Sequence, residues 1–200
     1  MKFARLISGM FHPMLMPLFG LFIIFHSGSF LDMTPLGIKR MIYLIVLVST
    51  VLLPLSILPL LKMQKIITGF GMPTHRERVL PLLFSAIFYY FGYFLLKRLP
   101  ISSVIQDFQL AAIIAILMVM LVSMKWKISL HMTGIGGLLG LIIAMTILYS
   151  ASLRIVFVLA ILAAGILGTA RLRLNVHTPA QVYSGLGLGF VTILLTVLLS

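Results

Sequence analysis

The chain has 200 residues, of which 62% are hydrophobic and 9% are charged, and its formal net charge is +12. A mean hydropathy of +1.23 excludes a soluble domain, because a soluble domain of this length needs more polar side chains on its surface. Cysteine is absent, so a disulfide framework, an iron–sulfur centre and a thiol nucleophile are excluded as well. We therefore expect an all-α integral membrane protein with a single transmembrane domain over residues 1–200.

Seven apolar segments follow one another along the chain, and each is continuous rather than alternating in hydrophobicity. This pattern indicates membrane-spanning helices and excludes a transmembrane barrel, since a helix needs about 20 apolar residues to cross the bilayer. The segments cover residues 10–31, 41–61, 79–96, 108–124, 130–150, 154–170 and 178–199. In the first segment His12-Pro13 and residues 26–29 favour a kinked or re-entrant course, so we expect a helical bundle with six to seven spans.

The basic residues are divided unequally between the two faces of this bundle. Ten of the 15 Lys and Arg residues lie at the N-terminus and in loops 62–78, 125–129 and 171–177, which alternation places on one face. The positive-inside rule makes that face cytoplasmic. If several of these cations bind phosphate, the remaining charges are nearly balanced, and the orientation stays open. We expect the bundle to lie in a bacterial inner (cytoplasmic) membrane.

Three polar clusters fall on the face with more cations. They are residues 74–81, which contain Arg76 and Arg78, residues 125–131, and residues 171–181. Two apolar segments separate each cluster from the next, and an even number of crossings returns the chain to the same face. The sequence therefore allows all three clusters to converge on one site.

The third cluster contains the start of a helix. Thr178 is a good N-cap, Pro179 suits the first helical position, and Gln181 completes a capping box. His177 therefore lies just before a helix N-terminus, where free N–H groups and the helix dipole favour an anion. Ser129 precedes His131 in the second cluster and indicates a similar start, so two histidines at helix starts suit a phosphate held between them.

Glycines four residues apart mark packing faces on the two segments that begin at these histidines. The pairs are Gly136 with Gly140 and Gly185 with Gly189, a spacing that lets helix backbones approach closely in lipid. His12 and His26 lack partners at a fixed spacing, and we assign structural roles to both.

The third cluster also has the spacing of a known signature. Residues 170–189 read Ala-Arg-x5-His-x-Pro-x-Gln-Val-x-x-Gly-x-x-x-Gly, with the named positions at Ala170, Arg171, His177, Pro179, Gln181, Val182, Gly185 and Gly189. This run resembles the third signature of the type 2 phosphatidic acid phosphatase superfamily, Ser-Arg-x5-His-x3-Asp, which usually continues as His-x-Pro-x-Asp-Val-x-x-Gly-x-x-x-Gly. The similarity extends over approximately residues 62–199, the predicted phosphatase-like core.

The other two signatures of that superfamily are matched in part. Ile128-Ser129-Leu130-His131 keeps the Ser and the His of Pro-Ser-Gly-His. The first signature, Lys-x6-Arg-Pro, is represented only by the arginines and the nearby proline of Arg76-Glu77-Arg78-Val-Leu-Pro81.

The resemblance implies a phosphatase that needs no metal or cofactor. His177 would attack phosphorus and form a phosphohistidine intermediate, and His131 would protonate the leaving oxygen. Such a reaction requires an activated nucleophile and cations positioned around the transferring phosphoryl group. The resemblance implies that the phosphoryl oxygens are held by Arg171 and Ser129 with Arg78 or Arg76, and from its place in the second cluster we add Lys127.

Gln181 departs from the superfamily, which has Asp at this position to orient the nucleophilic histidine. The Gln181 carbonyl can accept the ring N–H of His177, but it supplies no negative charge, and its amide can also donate. In a serine protease triad the analogous Asp-to-Asn change lowers kcat about 10⁴-fold. Three interpretations follow: a slow enzyme, an enzyme in which another acid such as Glu77 substitutes, or a fold that binds phospholipid without hydrolysing it.

We therefore predict a membrane-embedded phosphatase for a lipid phosphate or diphosphate. An isoprenoid carrier diphosphate, a phosphatidic acid or a phosphorylated glycolipid would suit a site at the ends of apolar segments. The alternative is a catalytically impaired relative that binds anionic phospholipid as a scaffold or in lipid transport. The partners expected are the lipid phosphate and membrane lipids, with no nucleic acid, and no zinc spacing, Walker loop or dinucleotide motif is present.

Overall fold

The computed structural model describes residues 1–72 and 74–200, and no strand occurs among these residues. Within them, α-helices build seven segments that are long and apolar enough to cross a membrane. The helices are α1 (Lys2–Met10), α2 (Met16–Phe25), α3 (Leu36–Leu47), α4 (Leu53–Met63), α5 (Val79–Leu96), α6 (Ser103–Ser123), α7 (Leu130–Tyr149), α8 (Arg154–Arg173) and α9 (Pro179–Leu199). The predicted all-α transmembrane bundle is confirmed.

Large apolar side chains are exposed over most of the bundle's outer surface. Phe22, Leu44, Ile87, Leu121 and Leu159 are among them, and each is about half exposed or more. In a soluble protein so many exposed apolar side chains would cause association, whereas in a bilayer they contact lipid tails. The chain is therefore an integral membrane protein.

The first segment is broken, as His12-Pro13 predicted. Helix α1 ends at Met10, a 3₁₀ turn covers Pro13–Leu15, and α2 begins at Met16. Pro13 and Pro17 have no backbone N–H to continue the helical hydrogen bonds. The segment begins earlier than the sequence indicated, at Lys2 rather than residue 10, because α1 is an amphipathic helix whose buried residues, Ala4 and Ser8, are small.

The second segment is also irregular and supports the first. A π-helical turn, Val48–Leu52, joins α3 to α4, and it lies just before Pro54, which cannot donate a helical hydrogen bond. The hydroxyl of Thr50 in this turn donates to the carbonyl oxygen of Met14 at 3.3 Å. The π turn therefore satisfies a backbone carbonyl at the break in the first segment.

Helix α7 is the most buried of the seven spans, and α9 packs closely along it. A Cβ atom at Gly140 would lie 2.5 Å from the Phe190 carbonyl oxygen, and one at Gly185 would lie 2.6 Å from the Ser129 carbonyl oxygen. Gly136 and Gly189 face the other helix's backbone just as closely. The predicted glycine packing faces are confirmed, and they pack against each other.

Replacing Gly189 by Ala should destabilise the protein by about 1–3 kcal/mol, because the new methyl group would overlap the backbone of α7 at Thr133 rather than a movable side chain. Thermal unfolding of the purified protein in detergent measures this loss. The matched control is Gly187→Ala in the same helix, where a Cβ atom meets nothing within 4 Å. Equal unfolding temperatures for the two variants would contradict the close contact.

Candidate functional site

Hydrogen bonds join the three polar clusters at one end of the bundle. The guanidinium of Arg78 donates to the backbone carbonyl of Ile128 at 3.0 Å, which links the first cluster to the second. The backbone N–H of Ser129 donates to the carbonyl of Gln181 at 3.2 Å, which links the second cluster to the third. The convergence that the even number of crossings allowed therefore occurs.

A cavity of about 570 Å³ begins at this junction and extends between the helices. The basic residues and histidines in its wall are His12, Arg78, His131, Arg171 and His177. The remaining wall is mostly apolar and includes Leu58, Phe108, Ala112, Ile116, Leu138 and Ile193. Ile193 lies about 20 Å along α9 from the start of that helix, at 1.5 Å per residue, so the cavity reaches well into the apolar interior. We call it the central cavity.

The capping box at the start of α9 determines the tautomer of His177. The Gln181 side-chain oxygen accepts the backbone N–H of Thr178 at 3.2 Å, which requires the amide oxygen to face this turn. The same oxygen lies 3.1 Å from Nδ1 of His177, so Nδ1 must carry the proton and donate it. The neutral ring then has its lone pair on Nε2, the nitrogen that a nucleophile needs.

His177 is uncharged at neutral pH. The side chain is 8% exposed, and burial lowers its pKa from 6.5 to about 4. The hydrogen bond to Gln181 opposes this shift, while the positive charges of Arg78, Arg171 and Lys127 add to it. The imidazole therefore remains neutral, with a free lone pair on Nε2, above about pH 4.

Ser8 of α1 contacts two of the predicted site residues. Its backbone carbonyl accepts a hydrogen bond from Nε2 of His131 at 3.0 Å, and its hydroxyl accepts one from Nη1 of Arg171 at 3.2 Å. The Nε atom of Arg171 is buried and has no acceptor among the described residues. Sequence reasoning missed Ser8, since a lone serine in an apolar helix carries no signal until α1 is packed against α8.

The two arginines of the central cavity are not neutralised by acids within residues 1–72 and 74–200. Arg78 is 5% exposed, and it donates to the carbonyls of Ile128 and Met72. The carboxylate of Glu77 accepts hydrogen bonds from Thr68 and Thr74. Glu77 therefore neither pairs with Arg78 nor substitutes for the missing acid beside His177.

Some of the residues predicted to bind phosphate do not line the central cavity. Arg76 is exposed on the surface, and Lys127 is partly buried, with its pKa lowered first by burial and then by the charges of Arg78 and Arg171. Ser129 begins α7 as predicted, but its hydroxyl makes no cap, is fully buried and has no partner among the described residues. Gln181, predicted to be catalytic, does not line the cavity either; its side-chain oxygen contacts Nδ1 of His177.

His12 is the second residue that sequence reasoning missed, because it was assigned a structural role. The break in the first segment brings it onto the wall of the central cavity, where its ring centroid lies 5.6 Å from that of His131. His26, the other histidine with an expected structural role, is exposed at the opposite end of α2 and hydrogen-bonds the Phe22 carbonyl.

Comparisons of the chain with protein-family models, with curated proteins and with solved structures found no match. The description of the site therefore depends on its geometry. The molecule is an integral membrane protein whose central cavity has two arginines and three histidines in its wall and an apolar interior. Such a cavity can hold an anionic group at its polar wall and a hydrocarbon chain inside.

Replacing Gln181 by Glu should raise the pKa of His177 by about 1–3, because a carboxylate would then accept the Nδ1 proton and stabilise the imidazolium. NMR titration of ring-labelled histidine in detergent measures this change. Gln64→Glu is the matched control, since it adds the same charge at an exposed position. An unchanged His177 titration in Gln181→Glu would contradict the contact between the two side chains.

Proposed function

We propose that this protein is a lipid phosphate or diphosphate phosphatase that acts at the membrane interface through a phosphohistidine intermediate. On this proposal it is a divergent member of the type 2 phosphatidic acid phosphatase superfamily in a bacterial inner membrane. One observation carries the proposal: Arg78, His131, Arg171 and His177 come from three separate clusters and line a single cavity. The roles given to these residues are those that the resemblance implies, and their hydrogen bonds indicate which ring nitrogen of each histidine would act.

The first step is attack by Nε2 of His177 on phosphorus. As the P–N bond forms, the P–O bond to the leaving group breaks, and His131 donates a proton to the departing oxygen. Nε2–H of His131 already donates to the Ser8 carbonyl, so this proton comes from Nδ1, which is protonated only when the bound dianionic phosphate stabilises the imidazolium. Arg78 and Arg171 offset the negative charge on the phosphoryl oxygens.

The second step releases phosphate. A water molecule attacks phosphorus and gives a proton to the now neutral His131, so the P–N bond breaks and His177 returns to its starting state. Both histidines are restored, and the net reaction consumes one water. The Nδ1–H bond to Gln181 keeps the ring of His177 in one orientation through both steps.

A lipid substrate is favoured by the composition of the cavity wall. The apolar residues of the central cavity include residues of α2, α4, α5, α6, α7 and α9, and a free phosphate would leave this surface in contact with water. A phosphatidic acid, an isoprenoid carrier diphosphate or a phosphorylated glycolipid has an anionic head for the arginines and a hydrocarbon chain for the apolar part of the cavity.

The second candidate function is binding of anionic phospholipid without hydrolysis, in a scaffold or in lipid transport. It is favoured by Gln181, which contacts His177 where a carboxylate would stabilise the imidazolium. Among the described residues no acid contacts His177, so a positive charge on the ring is weakly stabilised. Holding the phosphate requires the arginines alone, whereas hydrolysis also requires the histidines.

Purified protein in detergent should release phosphate from a panel of lipid phosphates and diphosphates, and His177→Ala should reduce release to background, because no nucleophile remains. Gln181→Asp should increase the rate, by at most about the 10⁴-fold of a protease triad. Phosphate release by a colorimetric assay measures both effects. His26→Ala is the control, since His26 lies at the far end of α2.

Each result distinguishes the candidates. Release that survives in His177→Ala would contradict the nucleophile. No release by the wild type, with activity gained in Gln181→Asp, would indicate a phosphatase fold that binds phospholipid without hydrolysing it. No release by any of the three proteins would contradict the phosphatase proposal and favour lipid binding or transport.

Narrowing the apolar part of the central cavity should raise KM for long-chain lipid phosphates, because their hydrocarbon chains would no longer fit. KM for a short-chain phosphate ester should stay the same. Ala112→Phe makes this change, because Ala112 lines the cavity on α6. Steady-state kinetics over a series of chain lengths measures it. Leu117→Phe adds bulk to an exposed position of the same helix and serves as the control. If Ala112→Phe and the wild type had equal KM values at every chain length, the hydrocarbon chain would lie outside the bundle.

A further inference from the structure

The break in the first segment gives the central cavity a third histidine. His12 has an extended backbone, with φ −66° and ψ 135°, between the end of α1 and the turn Pro13–Leu15. Its ring stands edge-on to that of His131, with an interplanar angle of 80° and centroids 5.6 Å apart. His12 precedes the region that resembles the phosphatase superfamily, so the superfamily's signatures assign it no role.

Neighbouring contacts hold this turn in place on α7. A Cβ atom at Gly134 would lie 2.6 Å from the Met16 side chain and 3.6 Å from the Cα atom of Pro13. From the other side, the Thr50 hydroxyl donates to the Met14 carbonyl. The position of His12 beside His131 is therefore set by packing on both sides of the turn.

The local hydrogen bond of His12 determines which ring nitrogen is a donor. The backbone N–H of Met14 donates to Nδ1 of His12 at 3.4 Å, so Nδ1 carries no proton in this arrangement. The proton of the neutral ring must then be on Nε2, which leaves an N–H donor on a side chain that lines the central cavity.

A second observation in the same cavity points to an anionic ligand. Nε of Arg171 is buried and has no acceptor among the described residues, although a guanidinium N–H normally has one when buried. Arg171, His131 and His12 all line the central cavity. A phosphoryl group there would accept hydrogen bonds that the protein itself leaves unmade.

We propose that His12 is a phosphate-binding residue that donates its Nε2–H to an oxygen of the phosphate group held by Arg171. This inference rests on the proposed function for the presence of a phosphate in the cavity. It requires binding only, and it adds the first membrane segment to a site whose other phosphate contacts come from α5, α7 and α8 and their adjoining loops.

The test is equilibrium binding of two probes to the purified 200-residue chain in detergent, by isothermal titration calorimetry. Decylphosphonate represents a lipid phosphate and is not hydrolysed, because it has a P–C bond, and inorganic phosphate represents the free anion. His12→Asn keeps an acceptor for the Met14 N–H and removes the Nε2 donor, whereas His12→Ala removes both. His26→Asn is the matched control at an exposed histidine.

We expect His12→Asn to weaken binding of the probes about 10- to 100-fold, the effect of losing a hydrogen bond to a charged group, with an unfolding temperature equal to that of the wild type. Tighter wild-type binding of decylphosphonate than of phosphate would identify a lipid as the source of the phosphate group, and equal affinities would identify the free anion. Wild-type affinity in His12→Asn, with binding weakened only in His12→Ala, would show that His12 merely caps the turn and would overturn the inference.

Phosphate release measured on the same samples separates this inference from the proposed function. A wild type that binds the probes and releases no phosphate, with binding weakened in His12→Asn, would overturn hydrolysis and support the role of His12. If His12→Asn hydrolysed lipid phosphate as fast as the wild type and bound both probes with wild-type affinity, only the role of His12 would be overturned. Failure of the wild type to bind either probe would overturn both.

Discussion

The site depends on the direct backbone contact between α7 and α9. At positions 136, 140, 185 and 189 the glycines leave no side chain between the two backbones, so carbonyl oxygens of one helix lie against Cα atoms of the other there. In lipid, where hydrophobic association between helices is weak, such close packing is a main source of attraction. Because α7 begins next to His131 and α9 begins just after His177, this contact sets the separation of the two histidines.

The electrostatics of the central cavity follow from an excess of buried cations over acids. Arg78 and Arg171 form hydrogen bonds to carbonyls and a hydroxyl, and these neutral acceptors leave both charges uncompensated. His177 responds by remaining neutral, since burial and the nearby cations lower its pKa to about 4. A cavity with fixed positive charge and a neutral histidine is suited to a dianionic group, whose binding offsets the cost of burying the cations.

Much of the site was predictable because it is encoded locally. The capping box needs only residues 178–181, and it places His177 at the start of α9 and determines its tautomer. A count of membrane crossings allowed the three clusters to converge, and the hydrogen bonds between them show that they do. Ser8 and His12 were missed because both contact His131 across more than 100 residues of sequence. His12 also needs the break in the first segment to reach the cavity. Arg76 and Arg78 are two residues apart, and only packing placed Arg78 in the cavity and Arg76 on the surface.

The sequence by itself determined the class of fold, because continuous apolar segments in lipid must satisfy their backbone groups as helices. It also determined the start of α9, the glycine faces and the break at His12-Pro13, which depend on residues close together in the chain. Tertiary structure alone decided which cations have no acid beside them. It also decided that Glu77 binds Thr68 and Thr74 instead of approaching His177, and that Ser8 of α1 hydrogen-bonds His131 and Arg171. These outcomes depend on how side chains from distant segments share one buried volume, and no local pattern of residues specifies that.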